Sequence, residues 1–526
     1  MNIGPGLKGQ LVNNVNGVNV QSIIEQFQDQ KFDEVIARSI LELQGDCAHT
    51  QSSRITFHLL IALSYKSIGR DDLCIERFKL AVQIFPKSDS LLYNYAVVLA
   101  ETGQENLALS MYLNCLRYFP MHIDALWNAG ELLRLDGQFE AAIECFQRLE
   151  SQGVERQYLK HRMAVCFAHL GLSDQANEYF NWATLNEPNP TTTWEFALFL
   201  LAEKRYELGW VNYRRRFDDG QKINVVCQSF GFPKWDGNYR ALEDKTLIVL
   251  PEQGLGDQVQ FAACISELAQ RVNQAGGNLV LVTRGALFDL FKSSFSGLKL
   301  DIVPHEIGRD WTGIAAQYGD ALEVAIGDLP LFTQYFLPLR QPYLRASDAS
   351  IQWANSLMER SGGAYRIGLA WGASTEMASP SRKQRDIPIE IFGRFKNLPA
   401  EVFKRLEFIS LMVGERAAQI CKVPELHIQD LSYLIQDFSD TAGLIELCDL
   451  VITPCTSIAH VAGAMGKEVL LFSQKDVDWR WRADQAQSDW YQNVHILRQA
   501  EKGDWSSCIH KAQEFIGNRL GGVLSD

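Results

Sequence analysis

No stretch of this 526-residue chain approaches the roughly 20 apolar residues that a membrane-spanning helix needs, so we expect no transmembrane segment. The first residues lack a basic stretch followed by an apolar core, which argues against a secretory signal and favours a cytoplasmic location. The eleven cysteines form no Cys-x-x-Cys pair, and we expect buried thiols rather than disulfides. Positive charge is in deficit, with 50 Lys and Arg against 63 Asp and Glu, which argues against a nucleic-acid partner.

The most regular feature of the sequence is a period of 34 residues. Apolar helical patterns end at glycine turns with this spacing, and an aromatic residue follows each turn nine residues later, at Gly69, Gly103, Gly137 and Gly171 and at Phe78, Tyr112, Phe146 and Phe180. Such a period is typical of tetratricopeptide repeats. Residues 1–217 are therefore predicted to form an α-solenoid with an irregular first helix pair, four regular repeats and a degenerate cap. A solenoid of helix pairs is a binding surface, so we expect a protein partner there.

The second half of the chain has the pattern of an α/β protein. Helical periodicity is lost over residues 218–244, which we interpret as a linker rich in Gly, Pro and Asn. Short apolar runs then alternate with amphipathic helices in two successive series, which predicts Rossmann-like domains at 245–350 and 351–526. Open parallel sheets bind ligands at the carboxyl ends of their strands, so a cleft between the two domains is the expected site.

The first candidate site residues lie in a glycine loop between a predicted strand and a helix. The loop contains Glu252, Gly254, Gly256 and Asp257, and its glycines allow a ligand to approach the backbone of a helix N-terminus. It is not a dinucleotide fingerprint, because Val259 replaces the third glycine, and it is not a P-loop. The alternative interpretation is a tight turn without a ligand.

Two further segments carry groups suited to an anion. Thr456 and Ser457 begin a helix directly after a strand, with His460 in its first turn, and a free helix N-terminus binds phosphate. Lys383 and Arg385 lie in a cationic loop that could neutralise a leaving diphosphate. The alternatives are a plain helix cap and a solvated charged surface.

Taken together and in this order, the motifs resemble those of a known family. The segments EQGLGDQVQFA, GLAWGAS, RKQRDIP, TSIAHVAGAMGKEVLLF, DWRW and SDWYQNVHILRQ resemble the bacterial tetratricopeptide-repeat glycosyltransferases, whose C-terminal half is related to heptosyltransferases and to O-linked N-acetylglucosamine transferases. The resemblance implies a GT-B fold, a nucleotide-sugar donor as co-substrate with no further cofactor, and inversion at the anomeric carbon without an obligatory metal. The Asp-x-Asp pair of Asp476 and Asp478 is accordingly not expected to bind a metal.

The resemblance also assigns roles to individual residues. It implies that Asp257 is the catalytic base, with Glu252 as the reserve candidate. It places Gly254, Gly256, Lys383, Arg385, Asp440, Thr441, Thr456, Ser457 and His460 around the donor. The chain departs from the family pattern at Pro454-Cys455, where an aspartate is common, and at Ser381-Arg382-Lys383, where relatives have Asn-Asp-Arg.

The resemblance implies transfer of a sugar to a Ser or Thr hydroxyl of a protein held by the solenoid, with flagellin or a surface protein as the acceptor. Two alternatives stay open at this point. The first is a scaffold without catalytic activity, which the departure at Pro454-Cys455 favours. The second is a transferase that acts on a glycan or a lipid-linked acceptor.

Overall fold

The structure is a computed structural model, and it describes residues 18–45, 49–217, 229–305, 316–334, 341–358, 363–372, 385–475, 478–482 and 485–521. It divides into two compact units, Met1–Glu187 and Pro188–Asp526. Each unit is described on its own.

The described part of the first unit is a series of α-helices joined by short turns. The helices are α1 (Val18–Gln28), α2 (Phe32–Gln44), α3 (Gln51–Ser67), α4 (Asp71–Ile84), α5 (Asp89–Glu101), α6 (Glu105–Tyr118), α7 (Ile123–Asp136), α8 (Phe139–Ser151), α9 (Leu159–His169) and α10 (Ser173–Asn186). Consecutive helices form the antiparallel pairs that the 34-residue period predicts. The period is therefore a structural repeat.

Two residue types of the period explain the helix pairing. The turn glycines adopt a left-handed backbone, as at Gly137 with φ +84°, where a residue with a side chain would be strained. The repeating aromatics are buried in the first unit, with Phe78 and Phe146 0% exposed. A Cβ on Gly130 would lie 2.5 Å from the Phe146 ring, so this glycine lets neighbouring helices approach closely.

The second unit contains two parallel sheets with helices between their strands. Its strands are β1 (Thr246–Leu250), β2 (Asn278–Arg284), β3 (Asp301–His305), β4 (Ala321–Ala325), β5 (Tyr365–Leu369), β6 (Leu406–Ser410), β7 (Leu450–Pro454), β8 (Val469–Ser473) and β9 (Val494–Arg498). Its α-helices are α11 (Pro190–Ala202), α12 (Tyr206–Arg214), α13 (Leu255–Phe261), α14 (Ile265–Gln274), α15 (Gly285–Ser294), α16 (Leu329–Phe332), α17 (Asp348–Leu357), α18 (Ala400–Phe403), α19 (Phe438–Leu447), α20 (Ser457–Ala464) and α21 (Ser506–Leu520).

The strand order shows two separate α/β layers. One sheet has the order β3-β2-β1-β4 and the other the order β6-β5-β7-β8-β9. These strands pair with one another in parallel, with Leu247 beside both Leu279 and Leu322 and with Leu369 beside Ile452. Strands β7 and β8 are buried along their whole length, as expected for parallel strands covered by helices on both faces. A helical tetratricopeptide-like solenoid followed by parallel α/β domains is thus confirmed.

The helices next to residue 188 belong to the α/β unit. Trp210 of α12 packs edge-on against Phe261, Trp479 and Trp490, with ring centroids 5.8 to 6.4 Å apart. From the sequence we placed this segment at the end of the solenoid.

Part of the predicted linker also packs in this unit. The backbone carbonyl of Glu323 in β4 accepts the Trp235 N–H at 2.8 Å, and the Glu323 N–H donates to the Pro233 carbonyl at 3.0 Å. Residues 233–235 therefore form a short parallel bridge at the edge of the first sheet. The domain limits drawn from the sequence stay a prediction.

Candidate functional site

The two loops singled out in the sequence come together in the second unit. The first follows β1 and begins α13, and the second follows β7 and begins α20. A Cβ on Gly256 would lie 2.8 Å from Cδ2 of His460 and 3.5 Å from Cα of Ser457. The N-terminal turns of the two helices are therefore in direct contact, and only glycine fits at residue 256 without a shift of its neighbours.

The glycine loop is held by its own carboxylate. Gln253 has a positive φ of 57°, which is uncommon for a residue with a side chain and is found at functional turns. The Gly254 N–H donates to Oδ2 of Asp257 at 2.9 Å, so Asp257, the third residue of α13, caps the start of its own helix. A carboxylate here is stabilised by the free N–H groups of the first turn.

The second oxygen of Asp257 accepts a hydrogen bond from a buried arginine. Arg480 donates from Nη2 to Oδ1 of Asp257. The same guanidinium donates from Nε to Oε1 of Gln260 at 2.6 Å and from Nη1 to Asp478 at 3.3 Å. It also lies over the Trp479 ring, 4.2 Å from its centroid. Arg480 therefore joins the first α/β layer, through Asp257 and Gln260, to the segment after β8.

Arg385 is the second cation of this cluster. Its Nη1 donates to the carbonyl of Cys455 at 3.3 Å, and its Nη2 lies 4.0 Å from Asp478. Burial would raise the pKa of Asp478, but Arg480 and Arg385 lower it below its ordinary value. Asp478 is therefore a shared anion that holds two arginines beside the turn before α20.

His460 is a neutral histidine at the same place. Burial, together with the charges of Arg480 and Arg385, lowers the pKa of His460 to about 3. Its Nδ1 is 2.9 Å from the Tyr491 hydroxyl. Because the ring is uncharged at neutral pH, His460 can offer hydrogen bonds to a ligand but no positive charge.

The start of α20 has backbone N–H groups without a side-chain cap. Thr456 is the N-cap residue but makes no side-chain cap, and its hydroxyl lies 3.3 Å from that of Thr453. The first N–H groups of a helix have no partner within it, and here Thr456 and Ser457 are only partly buried. The preceding Cys455, at the position where an aspartate was expected, accepts the indole N–H of Trp481 at 2.9 Å. Burial raises the pKa of this thiol to about 11.

The structure gives Asp440 and Thr441 a local role. Asp440 accepts the N–H of Gln436 at 2.9 Å, and Thr441 donates its hydroxyl to the carbonyl of Asp437 at 3.1 Å. Both contacts stabilise the first turn of α19. Among the described residues, no hydrogen bond links either side chain to Arg385 or Arg480.

Glu252 belongs to a different cluster. It is paired with Arg216, which also bonds Asp328 at 2.6 Å, and the side chains of Glu252 and Arg216 are fully buried. Burial raises the pKa of Glu252, and the Arg216 guanidinium opposes that rise. Gln253 donates its amide to Glu252 at 2.8 Å. Asp257 and Glu252, the two candidates for the catalytic base, therefore lie in different clusters.

Some of the predicted or weighed positions cannot be placed. Lys383, with its neighbours in the cationic loop, and Asp476 lie outside the described residues. Among the described residues no three His, Cys, Asp or Glu side chains are grouped as a metal site would need.

Sequence reasoning missed Arg480 and Arg216, which carry the charge of the two clusters. Arg480 stands between Trp479 and Trp481, and an arginine enclosed by tryptophans is a signal for a buried cation on an aromatic face. Arg216 ends a run of three arginines after α12, and this run gave no indication that only its last member is buried.

Comparisons with known proteins support the repeats most directly. A tetratricopeptide-repeat family model matches residues 124–152. The chain is 24% identical over 465 residues to Protein FlbA of Caulobacter vibrioides, which covers 85% of this chain and 70% of that protein. It is 31% identical over 91 residues to Protein O-mannosyl-transferase TMTC1 of Mus musculus, but this match spans only 10% of that protein.

Solved structures align with part of the chain. The MamA protein aligns over 32% of this chain and 90% of its own, with 19% identity and a TM-score of 0.28. A tetratricopeptide repeat protein from Parabacteroides merdae aligns over 40% of this chain and 96% of its own, with 14% identity and a TM-score of 0.29. Within the described part of the chain, no helix combines the length and apolar character needed to cross a membrane.

Proposed function

We propose that the chain is a cytoplasmic glycosyltransferase of GT-B type, which transfers a sugar from a nucleotide-sugar donor to a Ser or Thr hydroxyl of a protein. The observation that carries this proposal is the meeting of the α13 and α20 N-termini beside Arg385 and Arg480. Helix N-termini and arginines together suit a diphosphate. The resemblance of the motifs and the partial similarity to a named O-mannosyl-transferase point the same way.

The proposed reaction is a single displacement with inversion. The acceptor hydroxyl oxygen forms a bond to the anomeric carbon as the bond from that carbon to the donor phosphate breaks. The hydroxyl proton passes to Asp257, and the nucleotide leaves with the bonding electron pair. The leaving charge is neutralised by the N–H groups at Thr456 and Ser457, by Arg385 and by Lys383, so we propose a reaction independent of metal and of any further cofactor.

We propose that the tetratricopeptide repeats bind the acceptor protein. The first unit is a helix-pair repeat with an extended surface, and such surfaces bind polypeptides. Flagellin or a surface protein is the acceptor that the resemblance suggests, and a glycan or lipid-linked acceptor is the alternative for the same chemistry.

A scaffold without catalytic activity is the second candidate, and one observation favours it. Both oxygens of Asp257 already accept hydrogen bonds, from Gly254 and from Arg480. In this arrangement neither oxygen is directed at an acceptor hydroxyl.

The first experiment is a thermal-shift panel of nucleotides and nucleotide sugars on the full chain. A ligand held at about 100 times its Kd should stabilise the fold by about 2.7 kcal/mol. Donors that bind are then incubated with candidate acceptor proteins, and transfer is measured by the mass gained on the acceptor. Binding followed by transfer supports the enzyme, binding without transfer to any acceptor supports the scaffold, and no binding of any nucleotide contradicts the proposed transferase.

A further inference from the structure

The Arg480 guanidinium already has three hydrogen-bonding partners, with which the phosphates of a nucleotide-sugar donor would compete. Its three nitrogens bond Asp257, Gln260 and Asp478, and only 9% of its side chain is exposed. Arg385 holds the same Asp478 from the other side. Two guanidiniums and two carboxylates balance in charge, so the cluster is neutral before any ligand arrives.

Asp257 is therefore not poised as a base in this state. Oδ2 caps α13 and Oδ1 is paired with Arg480. To take a proton from a hydroxyl, the carboxylate needs an oxygen directed at the acceptor and a weaker ion pair. The cap does not have to break, because it uses the other oxygen.

The side chain of Gln260 indicates which kind of ligand would displace the ion pair between Asp257 and Arg480. Arginine only donates hydrogen bonds, so the contact with Arg480 fixes Oε1 of Gln260 as the acceptor. This leaves the Nε2 amide as a buried donor without a partner in the described part of the chain, on a side chain that is only 4% exposed. A buried donor next to a guanidinium is suited to an anionic oxygen.

We propose that the donor diphosphate and Asp257 compete for the Arg480 guanidinium, so that donor binding releases the base. A phosphate oxygen that takes Nη2 of Arg480 and the free amide of Gln260 would leave Oδ1 of Asp257 open to the acceptor hydroxyl. Arg480 is then a positioning residue, which keeps Asp257 inactive until the donor is present. This inference rests on the proposed function, because it assumes that a nucleoside diphosphate group binds at α20.

A double-mutant cycle on the full chain tests the competition by equilibrium binding of UDP, GDP and ADP, measured by calorimetry. Asp257→Asn keeps an oxygen for the Gly254 N–H and removes the charge that holds Arg480. We expect this variant to bind the nucleotide that the native chain prefers about 5-fold more tightly or better. In an Arg480→Gln background, the same Asp257→Asn change is expected to leave the affinity unaltered.

The controls separate competition from a general effect of charge. Asp449→Asn removes an exposed carboxylate at the amino ends of β5 and β7 and should not change the affinity. Where Arg480→Gln fails to fold, as judged by circular dichroism, Arg480→Lys takes its place, since lysine keeps the charge and loses the forked geometry. The gain from Asp257→Asn should then shrink.

The outcomes distinguish the inference from the proposed function. A gain that disappears with Arg480 supports the competition. An equal gain in both backgrounds means that Asp257 acts through its charge alone, and no gain means that the ion pair does not oppose the nucleotide; either result overturns the inference and leaves the proposed function standing. If the native chain binds none of the three nucleotides, the proposed function fails and the inference fails with it.

Discussion

Two buried arginines of the α/β unit, Arg216 and Arg480, are built alike and differ in exposure. Each holds two carboxylates, Glu252 and Asp328 for Arg216, and Asp257 and Asp478 for Arg480. In the Arg216 cluster the exposed fractions are 0% for Arg216 and Glu252 and 12% for Asp328. In the Arg480 cluster they are 9%, 22% and 21%.

The difference separates a fully buried ion pair from one that is partly exposed to solvent. Arg216 also bonds the Tyr213 carbonyl at 2.8 Å and lies 4.5 Å over the Tyr213 ring, although its buried Nε has no hydrogen-bond partner among the described residues. Arg480 stands beside the α20 turn and leaves a free amide next to it. The carboxylate given as the reserve base, Glu252, is thus in the closed cluster, and Asp257 is in the accessible one.

Removal of the segment that carries Arg216 should have the largest effect. A fragment that begins at Pro188 keeps α11, α12 and Arg216, whereas one that begins at residue 230 loses Trp210, Tyr213 and Arg216 together. We expect the first to unfold cooperatively in urea and the second to show no cooperative transition, because Glu252 would be buried without a partner. A stable fragment from residue 230 would contradict the structural role of the Arg216 cluster.

Within the full chain, Arg216→Gln should be the most destabilising single change of the two clusters. Removal of one partner of a buried pair typically costs about 3 to 5 kcal/mol of unfolding free energy, since the other charge is left buried. Denaturant unfolding measures the loss. Arg70→Gln is the matched control, because Arg70 pairs with Asp72 on the surface and its loss should be small.

The sequence was informative where structure is local. The 34-residue period predicted helices through α10, and the glycine loop, Asp257, Ser457 and His460 were found because each lies at a strand-to-helix junction. Arg480 could not be found in this way, since its partner Asp257 is 223 residues away in the chain. The pairing depends on how two sheets pack, and no spacing along the sequence encodes it.

Substitutions at Asp257 and Glu252 should have different effects on catalysis and on stability. We expect sugar transfer to fall by about 10² to 10⁴-fold with the thermal midpoint little changed, because Asn keeps the α13 cap but cannot accept the proton. Glu252→Gln should instead lower the thermal midpoint and leave the transfer rate of the folded protein near the native value. Transfer assays beside thermal unfolding compare the two. If the Glu252→Gln protein folds but has no transfer activity, Glu252 and not Asp257 is the catalytic base.

Low pH should reduce the unfolding free energy of the α/β unit, because His460 beside Arg480 is buried in its neutral form. Its folded pKa of about 3 lies below the ordinary value of 6.5, so the unfolded chain binds a proton that the folded chain excludes between these values. Stability therefore rises with pH across that window and is lost as pH falls, by at most about 1.4 kcal/mol per pH unit. Urea unfolding of His460→Gln between about pH 7 and pH 5 should show a shallower loss than the native chain. His58 in the solenoid, with a pKa of about 4, provides the same test in the other unit.

The smallest effects should come from Ser457, where two substitutions distinguish a side chain from a backbone group. Ser457 is the first residue of α20, and Thr456 before it is extended with φ −134° and ψ 177°, which is the conformation that precedes proline. Proline is well tolerated at a first helical position, so Ser457→Pro should fold while it removes one N–H.

If that N–H holds the donor phosphate, Ser457→Pro should weaken nucleotide affinity about 10-fold, near the value of one charge-assisted hydrogen bond. Ser457→Ala removes only the hydroxyl and should leave the affinity within about 2-fold, because the N–H remains. Equal affinities for both variants in calorimetry would move the phosphate away from α20 and leave Arg480 without a ligand to release Asp257.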